Sequence, residues 1–235
     1  MDTTDIVKST GISLTKGAIG AIPYVGTLLN EIFFENRGRL KQERVNRFIE
    51  ELKIYISKEM NQNQFDFDYI KSEQFSDLFE SIIFRISQNR SEEKLHRLKK
   101  VLVNQMTSPY ETDYTETFLD IASKINEKQI EILNTHRKAE YGQIKNEDKL
   151  LDRGILDANH TVEVSNFRDN EYYKLEKAQY MFYVQDLVSK SLLLDDSINR
   201  LSTRPYTILK ITAFGIEFLR FIENRSFESD SESIT

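Results

Sequence analysis

The chain has 235 residues, 30% of them charged, with a formal net charge of −6 and no cysteine. That length allows one large domain or two small ones with a substantial core. The missing cysteines exclude disulfides, thiolate zinc sites and cysteine nucleophiles, and the acidic balance argues against nucleic acid as the default partner. With 15 Phe and 11 Tyr against 3 Pro and 8 Gly, long uninterrupted helices and a mostly α fold are expected.

The first ten residues, MDTTDIVKST, put two acids ahead of an apolar stretch and offer no basic n-region. No signal peptide is expected, and the chain reads as cytoplasmic. Gly11 to Phe34 then holds four of the eight glycines and only two charges, Lys16 and Glu31. Its charge-free part runs from Gly17 to Asn30. As a helix it would span roughly 21 Å, short of the ~30 Å hydrocarbon core, so a transmembrane helix is not expected. Pro23 suits the first turn of a second helix, whose amides lack partners anyway, and a helical hairpin is expected around it. Ile19, Ile22, Pro23, Val25, Leu28, Leu29, Ile32 and Phe33 are the candidate contacts of this hairpin with a membrane or a partner. Directly behind stand Arg37, Arg39, Lys41, Arg44 and Arg47, a basic flank of the kind that attracts anionic headgroups at about 1 kcal/mol per residue. In the competing reading the hairpin is the core of a helical bundle, and Glu35, Glu43, Glu50 and Glu51 pair these cations along the helix.

Leu40, Val45, Phe48, Ile49, Leu52 and Ile56 continue as a long amphipathic helix. Gln62 to Asp68 is a polar connector, and Phe75, Leu78, Phe79, Ile82, Ile83 and Ile86 mark another amphipathic helix. Ser91 ahead of Glu92 and Glu93 is a helix start, and that helix stops before Pro109. Thr107 to Thr115 is the clearest linker. The expected organisation is an N-terminal helical bundle over 1–110, a second domain over 111–225 and a disordered acidic tail over 226–235. In the second domain Phe118, Ile121, Ala122 and Ile125 form a helical stripe, and Asn126 caps a helix carrying Ile130 and Leu133. A short helix is expected near Asp148 to Asp152, and Thr161 to Val164 alternates like a brief strand. Glu171 to Lys190 reads as a helix with Leu175, Ala178, Tyr183, Leu187 and Val188 inward. Tyr206 to Ile211 is strand-like, and Thr212 caps a last helix with Phe214, Phe218, Leu219 and Ile222 on its apolar side.

DLVSKSLLLDD followed by YTILKITAFGIEFLRFI resembles a winged-helix domain, in which a helix ends in Leu-Val-x-x-x-Leu-Leu, a loop comes next, and a strand runs into Leu-Thr-x-x-Gly and a last helix. Ile211 takes the Leu slot, Thr212 the capping position and Gly215 the glycine, while Asn126 to His136 is similar to the first helix of such a domain. The resemblance implies a winged-helix-like α+β C-terminal domain, a fold that serves DNA binding and protein docking alike. Through GAIPYVGTLLNEIFFENRGRLKQERVNRFIEEL, SEEKLHRLKKVLVNQ and KITAFGIEFLRFI, the chain as a whole resembles bacterial proteins of the abortive-infection alpha type. That implies phage defence, in which an infected cell is halted or killed.

His96, His136 and His160 lie on separate segments with no metal-binding spacing, and neither a P-loop nor a dinucleotide fingerprint occurs. Asp66 and Asp68 lack the surroundings of a calcium loop. No catalytic residue, metal, cofactor or small-molecule substrate is expected. In Glu171 to Lys190 the cations Lys174, Lys177 and Lys190 are balanced by Glu171, Glu176 and Asp186, so counterion release on DNA would be weak. Three roles are compatible with these residues and the resemblance. The first is a non-enzymatic phage-defence protein acting through regulated contact of its N-terminal helices with a partner or, peripherally, the inner membrane. The second is an adaptor docking a nuclease or ATPase partner through the winged helix, and the third a DNA-binding regulator. A protein partner or self-association is expected, and nucleic acid is not.

Overall fold

A computed structural model of the chain describes residues 20, 39–60, 64–110, 112–144, 166–197 and 205–223. The hairpin residues Ile19, Ile22, Pro23, Val25, Leu28, Leu29, Ile32 and Phe33 lie outside these, as do Arg37, the expected elements at 148–152 and 161–164, and the acidic tail. The described residues are mostly helical, with one small antiparallel sheet. They fall into two compact units, one made of the chain up to Lys124 together with Phe221 onward, the other of Ile125 to Arg220.

In the first unit the helical spacing of apolar residues becomes five helices among the described residues. These are α1 (Arg39–Glu59), α2 (Phe67–Ile70), α3 (Glu73–Gln88), α4 (Glu92–Thr107) and α5 (Thr115–Lys124). Short polar side chains fix their starts: Asp66 accepts from the Tyr69 amide, Ser72 from Phe75 and Ser91 from Lys94. Each satisfies one of the amides that a helix N-terminus leaves without a partner. α1 packs on α3 and α4, and α5 on both of those. Val45, Phe48, Leu52 and Ile56 of α1 are buried, as are Phe75, Phe79, Ile82 and Ile83 of α3 and Leu98, Val101, Leu102 and Met106 of α4. Phe118 of α5 lies 5.4 Å, centroid to centroid, from Phe221, and Asn104 donates to the Glu223 carbonyl.

The C-terminal end of α5 meets three donors from the corner between α3 and α4. Arg97 Nη1 donates to Ala122 O at 2.6 Å, Asn89 Nδ2 to Ser123 O at 2.9 Å and Lys94 Nζ to Lys124 O at 2.7 Å. A helix leaves its last carbonyls without intrahelical partners and concentrates negative dipole charge there, so cations and amide donors stabilise it. Arg97 is only 5% exposed, and the bond to Ala122 is what makes its burial tolerable. Burial and the neighbouring Arg97 charge hold the Lys94 ammonium below its ordinary pKa. One turn earlier, Arg85 of α3 bonds Glu116 and Asp120 of α5, and its hydrogen bond holds the Asp120 carboxyl below the usual carboxylate range.

The second unit is built from α6 (Glu127–Glu140), a 3-10 turn (Asn166–Arg168), α7 (Lys177–Ser189), β1 (Leu193–Asp195), β2 (Leu209–Ile211) and α8 (Ala213–Ile222) as far as Arg220. α6 begins with a reciprocal cap between Asn126 and Gln129. The strands pair antiparallel, Leu193 opposite Ile211, Leu194 opposite Lys210 and Asp195 opposite Leu209. β1 was not legible as a strand, and the helix expected over 171–190 begins only at Lys177. Residues 171–174 form a turn in which Lys174 adopts a positive φ of 55°.

Two devices fasten the β-hairpin at its ends. Buried Asp195 accepts from the amides of Ser197 and Tyr206, and the Ser197 hydroxyl oxygen accepts from those of Thr207 and Ile208. The second device is Thr212-x-x-Gly215. Thr212 Oγ1 lies 2.6 Å from Ser191 O, to which it donates, and accepts from the Gly215 amide at 2.8 Å, capping α8. A Cβ at Gly215 would sit 2.3 Å from the Leu192 carbonyl oxygen, so only glycine lets α8 start this close to β1.

Replacing Arg97 by Met should lower stability by about 1–3 kcal/mol, because the buried Ala122 carbonyl loses its donor. Lys94→Met, at the less buried edge of the same cluster, should cost less. Gly215→Ala should cost roughly 1–3 kcal/mol through overpacking against backbone that cannot yield locally. Urea midpoints of the purified variants measure all three.

Candidate docking surface

α7 sets the geometry of the candidate site. It is anchored inward by Tyr180, Val184 and Leu187, four and three residues apart and hence on one side of the helix. The sequence expectation placed Leu175, Ala178, Tyr183, Leu187 and Val188 inward. The structure keeps Leu187 buried but turns Ala178 out to solvent and leaves Leu175, Tyr183 and Val188 half-buried. The helix is apolar on almost every side, from Ala178 through Tyr180, Met181, Phe182 and Tyr183 to Val184, so periodicity alone does not fix its phase.

The outward side is a stripe of Ala178, Phe182, Gln185 and Ser189, all exposed, with Phe182 64% exposed. None of the four carries a charge. Gln179 beside them donates to the Tyr183 hydroxyl at 2.8 Å, which stiffens the middle of this surface. β1 packs against α7, and its central residue Leu194 is 54% exposed. The helix charges lie aside or are already engaged: Asp186 accepts from Gln129 of α6 at 2.7 Å and pairs with Lys190. Lys177 and Lys174 stay exposed, alongside exposed Glu171 and Glu176.

The basic flank fares differently. Arg44 donates to the Ser87 carbonyl at the end of α3 at 2.9 Å, and Arg47 bonds Glu92 at the start of α4 and lies 3.9 Å from Glu51. Both act inside the first unit. Arg39 pairs with Glu43 of its own helix, and Lys41 has no ion-pair partner among the described residues. Among those residues no helix is long and apolar enough to cross a membrane, and no group of three or more His, Asp or Glu could hold a metal ion. Asp66, a residue type that can ligate a cation, caps α2 instead.

His136, which reads from sequence as an unremarkable lone histidine, is a buried member of the second unit's core. Its Nδ1 lies 2.8 Å from Ile132 O. The proton therefore sits on Nδ1, leaving Nε2 as a lone pair with no hydrogen bond. Its ring meets Phe167 edge-on at 5.5 Å. The Tyr173 hydroxyl donates to Phe167 O at 2.6 Å, and the Tyr173 ring stacks on Tyr180 of α7 at 5.6 Å. This chain of rings seats α7 against α6. Burial pushes the hydroxyls of Tyr173 and Tyr180 well above the ordinary tyrosine range. It pushes His136 down to about 4, with the Arg168 charge adding to the effect and the Ile132 bond opposing it.

Comparison of the chain with protein-family models, with curated proteins and with solved structures finds no match.

Because the folded His136 value lies below the unfolded 6.5, the unfolded chain takes up this proton first as pH falls. Its contribution is complete above 6.5 and is lost on the way down to about 4, amounting to about 3 kcal/mol. Urea midpoints should fall steeply across that window, and His136→Leu should remove most of this slope.

Proposed function

We propose that the chain is a non-enzymatic interaction protein whose C-terminal unit is winged-helix-like and docks a protein partner through α7. The observation that carries the reading is the exposed, uncharged α7 stripe centred on Phe182. The order α6, 3-10 turn, α7, β-hairpin, α8 supports the winged-helix assignment, in which α7 takes the place of the recognition helix. A helix that reads DNA needs cations and amides towards the groove and phosphates. Here Lys190 is occupied by Asp186, and the exposed stripe offers an aromatic ring, a methyl, a hydroxyl and one amide. Exposed aromatics on rigid elements are the usual anchors of protein interfaces.

The role of adaptor is therefore favoured over that of DNA-binding regulator. The resemblance to abortive-infection alpha proteins supports a role for this adaptor in phage defence, with the N-terminal apolar segment as a second contact for partner or membrane. Arg44 and Arg47 serve contacts within the first unit, which leaves Arg39 and Lys41 as the described flank residues best placed for such a contact.

Phe182→Asp and Leu194→Asp change exposed positions and should leave the far-UV spectrum and melting temperature unchanged. Affinity capture from the host should retain a defined protein with the wild type and lose it, by at least tenfold, with either variant. In cells carrying the gene the same variants should restore phage plating. Salt-sensitive retention on DNA by the wild type, or full phage restriction by Phe182→Asp, would contradict the proposal.

A further inference from the structure

The solvent side of α3 carries Glu73, Asp77, Glu80 and Phe84, spaced four, three and four residues apart and therefore in one line along the helix. All four are exposed, Phe84 by 55%. None of the three carboxylates has a hydrogen-bond or ion-pair partner among the described residues. Like charges at these spacings repel by a few tenths of a kcal/mol per pair. Glu116 and Asp120 of α5, by contrast, are answered by Arg85.

The start of α1 is the opposite in charge. Arg39 is exposed, and its link to Glu43 is a surface pair, a kind worth little. Leu40 beside it is 63% exposed, and Lys41 comes next. Arg44 on the Ser87 carbonyl sets this end of α1 at the C-terminal end of α3. At about 1.5 Å per residue, Glu80 and Glu73 lie roughly 10 and 21 Å back along α3 from Ser87. Both distances exceed the ~8 Å screening length at physiological salt. Arg39, Lys41 and Arg44, at the start of α1, are therefore too far to compensate these acids. The α1–α3 pair is split in charge, with apolar Leu40 and Phe84 towards its basic end.

We propose that this surface binds a second copy of the chain. Two copies meet antiparallel, with Glu73, Asp77 and Glu80 of each against Arg39 and Lys41 of the other, covering Phe84 and Leu40. A two-fold pair forms both charge contacts at once and closes on itself. The contact is independent of α7. Being mostly electrostatic at its rim, it weakens as salt rises.

Sedimentation velocity of the full chain tests the proposal. At low ionic strength the wild type should shift with concentration from the mass of one chain to that of two, and about 1 M salt should reverse the shift. The double variants Asp77→Lys/Glu80→Lys and Arg39→Glu/Lys41→Glu should each stay single. Mixed in equal amounts they should associate, because each then presents the charge the other lacks. A wild type that stays single at every concentration overturns the proposal, as does association that survives in either double variant alone. Phe182→Asp should leave the shift intact, so loss of pairing in that variant would also overturn it and move the contact to α7.

Discussion

Three consecutive carbonyls at the end of α5, those of Ala122, Ser123 and Lys124, determine how the first unit closes. Left without donors in a partly buried place, each would cost about as much as a lost hydrogen bond. The corner between α3 and α4 supplies Arg97, Asn89 and Lys94 to them. This explains why α4, for all its charges, buries an arginine, and why the chain returns to the same helices after Pro109. The helix dipole and the cations act in the same direction, so the cluster fixes the direction of α5 as well as its position.

The second unit relies on close backbone approach instead. Gly215 has no room for a Cβ against the Leu192 carbonyl, and Thr212 uses its one hydroxyl both to cap α8 and to bond the turn before β1. Asp195 and Ser197 fasten the far end of the hairpin. With strands and α8 fixed in this way, α7 needs only three inward residues and the Tyr173–Tyr180 stack to be held. Its opposite side is left outward without a structural task. An uncharged outer stripe on a rigid helix is the physical basis of the proposed docking role.

Much of the local structure was legible in the sequence because it depends on neighbours in the chain. Ser91, Asn126 and Thr212 announced helix starts by residue type, and Pro109 announced an end. The apolar spacing of α1 and α3 named most of their buried residues. What stayed hidden depends on contacts between distant segments. Arg97 and His136 gave no sign of burial, since their partners are a carbonyl 25 residues away and a ring from another element. The phase of α7 differs from the expected one because Tyr180 and Phe182 both carry large aromatic rings, and the seat between α6 and the 3-10 turn decides which one goes in. The exposed stripe of α7 was therefore visible only as a formally neutral helix, without Phe182 as its centre. The basic flank was legible as charge, while the commitment of Arg44 and Arg47 to helix ends was not.

The most direct test of the central claim, that α7 meets a protein, is photocrosslinking from position 182 itself. A benzophenone side chain placed there in cells keeps an exposed aromatic at the centre of the stripe. One dominant protein adduct is expected, absent when the probe is moved to exposed Glu176 at the start of the helix. No protein adduct from position 182, or crosslinks to DNA alone, would contradict it.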